Sequence, residues 1–429
     1  MPAESRAGVV GAYFRPMPPP KQTASAKPAD LRVSVVPCNP DWKNASNGRH
    51  HIFLFDGTWN DETGINPSDF TWDNARHLWV SRADPAKAFA PIVTNVAKTH
   101  AALAPDGPGQ VTHYFRGVGN DDDYDRANTI AEGAFARYEP FIRAAAYCEF
   151  LRNYRDGDQV SILGFSRGAA TARLFARDLA TLGLLDSLMI ESRYAHVANT
   201  GELRQEIWTT WPRKSKRLVA GKDIPIAFLG VWDTVATNMS ADDEDWEVPA
   251  SVNRAVHCLA LDETRVLFKP TLLSYAAGRA EAMKEVWFAG VHSDVGGGYF
   301  CDALGRLALD FMWRNWNNAL VREGLAELAW QPSLAATLTD ITGLPWLRHS
   351  EVRADQKFLV APRACAPLAG GKPRVHRSVE RFVQEGGLQF CTEDNASFPP
   401  RCQIASAVYA PVAYPGAGAV ELYDSTAWA

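Results

Sequence analysis

The five-residue turn Gly164-Phe165-Ser166-Arg167-Gly168 constrains this chain more than any other segment. It follows the apolar run Val160-Ser161-Ile162-Leu163. It precedes a stretch, Gly168 to Leu185, with Ala169, Ala170, Leu174, Phe175, Leu179 and Leu182 on one side of a helix. A strand that turns at once into a helix leaves no room for side chains at the flanking positions, so glycine occupies both. The serine between them is expected to stand exposed at the carboxyl end of its strand. The helix N-terminus behind it offers a backbone N–H, from Arg167, and a favourable dipole for a developing oxyanion.

Other segments repeat this strand-then-helix grammar. Ile52-Phe53-Leu54-Phe55, stopped by Asp56-Gly57, reads as a buried strand and a turn. Ile226 to Val231 and Val286 to Val291 read as two more, and Ala136 to Tyr154 and Leu304 to Leu328 as helices. Short, continuously apolar strands between long helical stretches predict a mostly parallel sheet with helices on both faces, and the Gly164 to Gly168 turn between strand and helix narrows that to the α/β-hydrolase class. No internal repeat of fixed period is present.

Eight of the 27 prolines fall in the first 40 residues, so residues 1–48 read as an extended tail or linker, with order from His51. Residues 49–429 read as the hydrolase domain. Three insertions are expected to lie like lids over the active-site edge: 186–220, partly helical; 236–250, an acidic loop; and 304–350.

Forty-four basic against 49 acidic side chains leave a net charge of −5, which excludes a phosphate-backbone binder and hence nucleic acid as a partner. No apolar run approaches the ~18 residues of a transmembrane helix. The N-terminus lacks the apolar core of a cleaved secretory signal, so synthesis in the cytoplasm is expected. Seven scattered cysteines with no C-x-x-C pair read as idle thiols, without structural zinc.

A serine hydroxyl needs a base, and the base an orienting acid. Asp233 ends one apolar strand and His292 another, giving the order serine, acid, histidine at carboxyl strand ends. That edge is where open α/β sheets bind ligands. Asp294, two residues past His292, is the competing acid. His257, in an apolar stretch, reads as a core or supporting residue, and His376 lacks strand-end character. Gly57 or Thr58, after the first strand, is expected to give the second oxyanion N–H. Gly164, Gly168, Asp56 and Asp294 are expected to support the site. A D-x-D-G-T phosphatase fails because Leu54 stands where its nucleophile must be. A metal site of Asp56, Asp233, His292 and Asp294 would leave Ser166 without a role, so no metal or cofactor is expected.

At these motifs the sequence resembles the α/β-hydrolase phospholipase effectors delivered by bacterial type VI secretion. The matching pieces are Phe55 to Thr58, Gly164 to Ala169, Gly230 to Val235, His257 to Arg265 and Val286 to Tyr299, in family order over roughly residues 51–315. The resemblance implies a Ser166–Asp233–His292 triad and a phospholipase A-type reaction at a membrane surface. It also implies a secretion-apparatus carrier, a cognate immunity protein and delivery to a target cell's periplasm. Trp208, Trp211, Arg213, Lys214, Lys216 and Arg217 suit a bilayer interface, or equally a solvated loop. The family often has proline at Ala289 and glycine near Ala236 to Asn238. The first 48 residues and those beyond about 350 match weakly. The rival readings are a carboxylesterase or neutral lipase outside secretion, and a catalytically silent hydrolase fold used for binding.

Overall fold

The computed structural model describes residues 31–45, 48–57, 70–73, 78–81, 88–89, 93–117, 134–196, 203–211, 215–237, 246–299, 301–349, 360–367, 371–394 and 401–428. The strands that matter here are β1 (Leu31–Pro37), β2 (His50–Phe55), β3 (Gln110–Phe115), β4 (Gln159–Phe165), β5 (Ser187–His196), β6 (Leu203–Trp211) and β7 (Ile226–Trp232). They continue with β8 (Val252–Ala260), β9 (Met283–Phe288), β10 (Leu347–His349), β11 (Arg374–His376), β12 (Gln389–Asp394), β13 (Arg401–Ala405) and β14 (Glu421–Tyr423). The helices are α1 (Asn95–Ala102), α2 (Ala134–Asn153), α3 (Ser166–Leu182), α4 (His292–Gly296), α5 (Ala303–Arg322), α6 (Pro332–Thr339) and α7 (Arg377–Glu385).

Eight strands form one sheet in the order β14-β11-β9-β8-β7-β4-β2-β3. Every neighbouring pair is parallel. The chain leaves β2 for the edge strand β3 and returns to the other side of β2 as β4. That reversal opens a crevice at the carboxyl ends of β2 and β4, where sheets of this type take ligands.

Alternate residues of each strand feed opposite faces. Phe53, Ile162 and Leu229 pack with Tyr147 and Phe150 of α2 and Phe175 and Leu179 of α3. Ile52, Leu54, Leu163 and Phe228 pack with Val96 of α1 and Leu309, Met312 and Trp316 of α5. Both faces are therefore apolar, which is why these strands read as unbroken apolar runs. Burying each such side chain stabilises the fold by roughly 1.5–3 kcal/mol. The C-terminal part adds a third cluster, in which Val379 and Phe382 of α7 meet Val375, Trp287 and Leu259.

The structure departs from the sequence reading in several places. Order begins before His51, because Leu31–Pro37 is a strand paired antiparallel with β5. Residues 1–30 lie outside the described residues. The insertion 186–220 is not partly helical: β5 and β6 form an antiparallel ribbon. It leaves the end of α3 and rejoins the start of β7, so both its anchors stand at the amino edge, opposite Ser166. Trp208 and Trp211 fall on β6, and Arg213 and Lys214 lie outside the described residues. The segment 304–350 mostly covers one sheet face through α5 and α6, while the start of α5 and β10 pack beside α4. Most of the 236–250 loop, residues 238–245, is outside the described residues. Finally, β9 stops at Phe288 and His292 opens α4, since Gly290 takes a positive φ of 107° that ends the extended run.

Three histidines are packed in or against the core as neutral rings. His50 meets Ser161 Oγ at 2.7 Å, and Trp316 donates to the same oxygen. His113 stacks on Phe53, and His376 stacks on Phe288. Burial pushes His50 and His113 down to about 3 and His376 to about 4. The unfolded chain takes up protons near pH 6.5 and the folded chain does not. Stability from these groups is therefore complete above pH 6.5 and falls as the pH drops toward 4, by up to about 1.4 kcal/mol per pH unit for each histidine. Urea unfolding between pH 7 and pH 4.5 should show that fall, and replacing His113 with Phe should flatten it.

Candidate active site

The turn after β4 is built by two missing side chains. A Cβ on Gly168 would collide with the backbone oxygens of Phe55 and Asp56, and one on Gly164 would run into the backbone of Gly168 and Ala169. With both absent, α3 starts hard against β2. Ser166 is held at φ 59°, a left-handed conformation unusual for a side-chain residue. Such strain costs about 1–3 kcal/mol and persists only where the surroundings impose it. Here the Val235 N–H donates to the Ser166 carbonyl at 3.1 Å and helps pin it.

Ser166 Oγ lies 2.8 Å from His292 Nε2, and His292 Nδ1 lies 2.6 Å from Asp233 Oδ2. The three residue types named from the sequence are thus in one line of hydrogen bonds. Serine and histidine are each only 4% exposed, so the expected open serine is not found. His292 sits on the hydroxyl, flanked by the rings of Phe165 at 4.6 Å and Phe268 at 4.9 Å. Electrostatic effects are stronger in so dry a setting.

Asp233 also takes a positive φ, 40°, which aspartate tolerates better than most residues. Its carboxylate has all its acceptor directions used. Oδ1 accepts from the Ala260 N–H at 2.9 Å and Arg363 Nη1 at 2.6 Å. Oδ2 accepts from His292 and from Arg363 Nη2 at 2.9 Å. Burial alone would raise the carboxyl, but the Arg363 guanidinium and the His292 hydrogen bond outweigh it and hold Asp233 well below the usual range. Burial pushes His292 down, with Asp233 pulling the other way. An ionised Asp233 accepts only, so Nδ1 carries the proton and Nε2 is left to accept the serine's.

The rival acid is occupied elsewhere. Asp294 accepts the Val291 N–H at 3.0 Å, the His349 N–H at 3.0 Å and His349 Nδ1 at 2.6 Å. Tyr299 stacks on that His349 ring at 3.9 Å. Asp294 therefore ties the start of α4 to β10. Asp56 accepts from Thr94 Oγ1 at 2.8 Å and Tyr114 Oη at 2.6 Å. Of the four residues of the metal reading, Asp233 and His292 are bonded to each other, and Asp294 and Asp56 are turned to other partners. Gly57 donates its N–H to Asp56 Oδ1 at 2.7 Å, and Thr58 lies outside the described residues. Arg167 is the second residue of α3, with its N–H at the positive end of that helix.

His257 is a supporting residue. It accepts the Thr234 N–H at Nε2 and meets Glu285 at Nδ1, which holds the residue next to Asp233. His376 caps α7 away from the serine. Four positioning residues had no role in the sequence reading. Glu263 accepts the His292 N–H at 3.2 Å, and Asp262 accepts the Gly290 N–H at 2.7 Å. Both lie in the Leu261-Asp262-Glu263-Thr264-Arg265 motif, so the signal was visible and its purpose was not. His349 and Arg363 come from segments with no motif.

The model for the T6SS phospholipase effector Tle1-like catalytic domain matches residues 49–315, more than half of this sequence. The chain belongs to that family. An uncharacterized Saccharomyces cerevisiae protein is 26% identical over 257 residues, covering 54% of this chain and 33% of the relative. An uncharacterized Pseudomonas aeruginosa structure is 20% identical with a TM-score of 0.40, covering 69% of this chain and 49% of that one. A Tle1 effector bound to the VgrG spike of the type 6 secretion system is 18% identical with a TM-score of 0.32, covering 60% and 52%. Thermogutta terrifontis esterase 2 is 12% identical with a TM-score of 0.30, covering 72% and 99%. The chain spans about a third of the yeast relative and about half of the first two solved chains.

The two aspartates make the first test of the site. Asp233→Asn should lower turnover on a soluble ester by roughly 10⁴, because an amide can hold the wrong imidazole tautomer. Asp294→Asn should lower it far less and reduce thermal stability instead. Equally folded variants with the order reversed would replace Asp233 as the acid.

Proposed function

We propose that this chain is a serine ester hydrolase that cleaves acyl esters of membrane phospholipids, a phospholipase A-type effector of type VI secretion. The observation that carries the chemistry is the hydrogen-bonded line from Ser166 through His292 to Asp233 at the head of α3. Phospholipid as the substrate class rests on the family to which residues 49–315 belong. Residues 49–429 act as one catalytic domain in this reading, because β11 and β14 complete the sheet that carries the site.

The reaction follows from the atoms in place. His292 Nε2 takes the Ser166 proton as Oγ attacks the ester carbonyl. Asp233 holds the ring orientation and balances the imidazolium charge. The carbonyl oxygen becomes negative and is met by the Arg167 N–H at the positive end of α3. Thr58 is the second donor in this scheme, since the Gly57 N–H is engaged by Asp56. The imidazolium returns its proton to the leaving alcohol, the lysophospholipid. Water, activated by the same histidine, then releases the fatty acid and frees the serine. No step needs a metal or a cofactor.

Among the described residues no helix is long and apolar enough to cross a membrane. Contact with the bilayer is peripheral in this proposal. Carriage by a spike protein of the VgrG kind, release into a target cell's periplasm and neutralisation by a cognate immunity protein belong to the same proposal. They follow the effector family and not a contact in this chain.

Ser166→Ala should fold normally, lose on the order of 10⁶ in turnover and no longer react with a fluorophosphonate probe. Labelling of that variant, or retained hydrolysis, overturns the serine mechanism. Mass spectrometry after incubation with mixed phospholipid vesicles should find fatty acid and lysophospholipid. Loss of headgroup would point to a phosphodiesterase. Hydrolysis confined to soluble esters would point to a carboxylesterase, and no turnover of either to a binding protein. Extensive chelation should leave hydrolysis of a soluble short-chain ester within about twofold, as a serine triad requires; activity lost to chelator and restored by one divalent ion would reassign the site.

A further inference from the structure

The proposed chemistry ends at Asp233, but the structure does not. Arg363 reaches both carboxylate oxygens, Nη1 on Oδ1 at 2.6 Å and Nη2 on Oδ2 at 2.9 Å. Its side chain is 4% exposed against a fully buried partner. The guanidinium is itself fixed, since it also donates to the carbonyls of Ala260 and Phe268. The segment that carries it is tied down at both ends. The Ala361 N–H donates to Thr264 at 2.7 Å, Val360 bridges Arg265, and Trp287 Nε1 donates to the Ala366 carbonyl at 3.3 Å. Arg363 lies outside residues 49–315, the part matched to the family's catalytic domain.

We propose that Arg363 is a positioning residue of the catalytic machinery, a fourth member that fixes the carboxylate of Asp233 and sets how strongly it draws on the His292 imidazole. This rests on the serine-hydrolase reading. A planar fork suits the task, because two parallel N–H···O bonds fix the plane of the carboxylate as well as its place. The same fork withdraws charge from the oxygen that faces His292. Without it, Asp233 would stabilise the imidazolium more and hold the ring less firmly. The other groups around His292 stay the same in both cases. These are Ser166 at Nε2, Glu263 at the backbone N–H with Arg265 paired to it, the rings of Phe165 and Phe268, and Asp294 on α4, which is turned to His349.

The test is the pH dependence of kcat and KM for a soluble short-chain ester, measured on the full chain. Arg363→Met keeps the length and loses the charge. It should lose at least about tenfold in kcat near pH 7 with little change in KM. Its acid limb should rise by about one pH unit, the usual scale for losing one nearby charge. Arg363→Lys keeps the charge without the fork, so kcat should fall while the acid limb stays near the wild-type position. A folded Arg363→Met enzyme whose acid limb does not move overturns the inference. Should that variant fail to fold, a lysine variant with wild-type kcat overturns it instead. The two readings fail separately. Retained hydrolysis in Ser166→Ala sinks the serine mechanism beneath both, whereas a dead Ser166→Ala beside an unmoved Arg363→Met sinks only the role of Arg363.

Discussion

Two backbones touch where a side chain would stand. The Cα of Gly168 lies so close to the carbonyls of Phe55 and Asp56 that a methyl group there would collide with both. This contact lets α3 begin directly beside the end of β2. Because α3 begins there, Ser166 is pressed into a left-handed backbone and its hydroxyl is lifted off the strand. Because β2 ends there, Asp56 can be gathered by Thr94 and Tyr114 on the other side. Relaxing that approach would move Ser166, the helix dipole behind it and the loop that faces it together.

The parallel sheet was legible because its strands are buried on both faces and so read as unbroken apolar runs. That Ser166, Asp233 and His292 meet was legible for a related reason: each sits next to such a run, and the proposed chemistry asks for those types in that order. What escaped has physical causes too. The strands β5 and β6 form a ribbon outside the main sheet, and apart from Leu188-Met189-Ile190 their sequence is a polar mixture with no apolar run to mark it. The strand β1 hides in a proline-rich region because its pairing partner, β5, begins only at Ser187. His349 and Arg363 come from segments distant in sequence. Nothing local distinguishes an arginine bound for a carboxylate from one bound for water. The serine differs from the expected open one, since a turn's own geometry does not reveal that His292 will sit on the hydroxyl with Phe165 and Phe268 around the ring.

The site is also a problem in burying charge. Asp233, Arg363, Glu263, Asp262 and Asp294 all stand near the carboxyl edge with little or no exposure. An uncompensated buried ion costs several kcal/mol. The solution is to spend each carboxylate on fixed donors. Asp262 and Glu263 hold the backbone of the loop before and at His292, Asp294 holds β10, and Asp233 holds the ring itself. The pieces that stabilise the loop are therefore the pieces that aim the histidine. A substitution meant to improve one will disturb the other.

The family's catalytic domain ends at residue 315, but the sheet does not. β9 is six residues long, buried along its whole length, and its outer neighbour β11 begins only at Arg374. A fragment cut at the domain boundary would turn this strand into an open rim, with unpaired N–H and C=O groups beside Val286 and Trp287. Such a rim is a template for another chain to add to. The boundary drawn by similarity is thus not a boundary for solubility. Insoluble aggregates of a shortened chain would reflect that naked border, not an unstable active site.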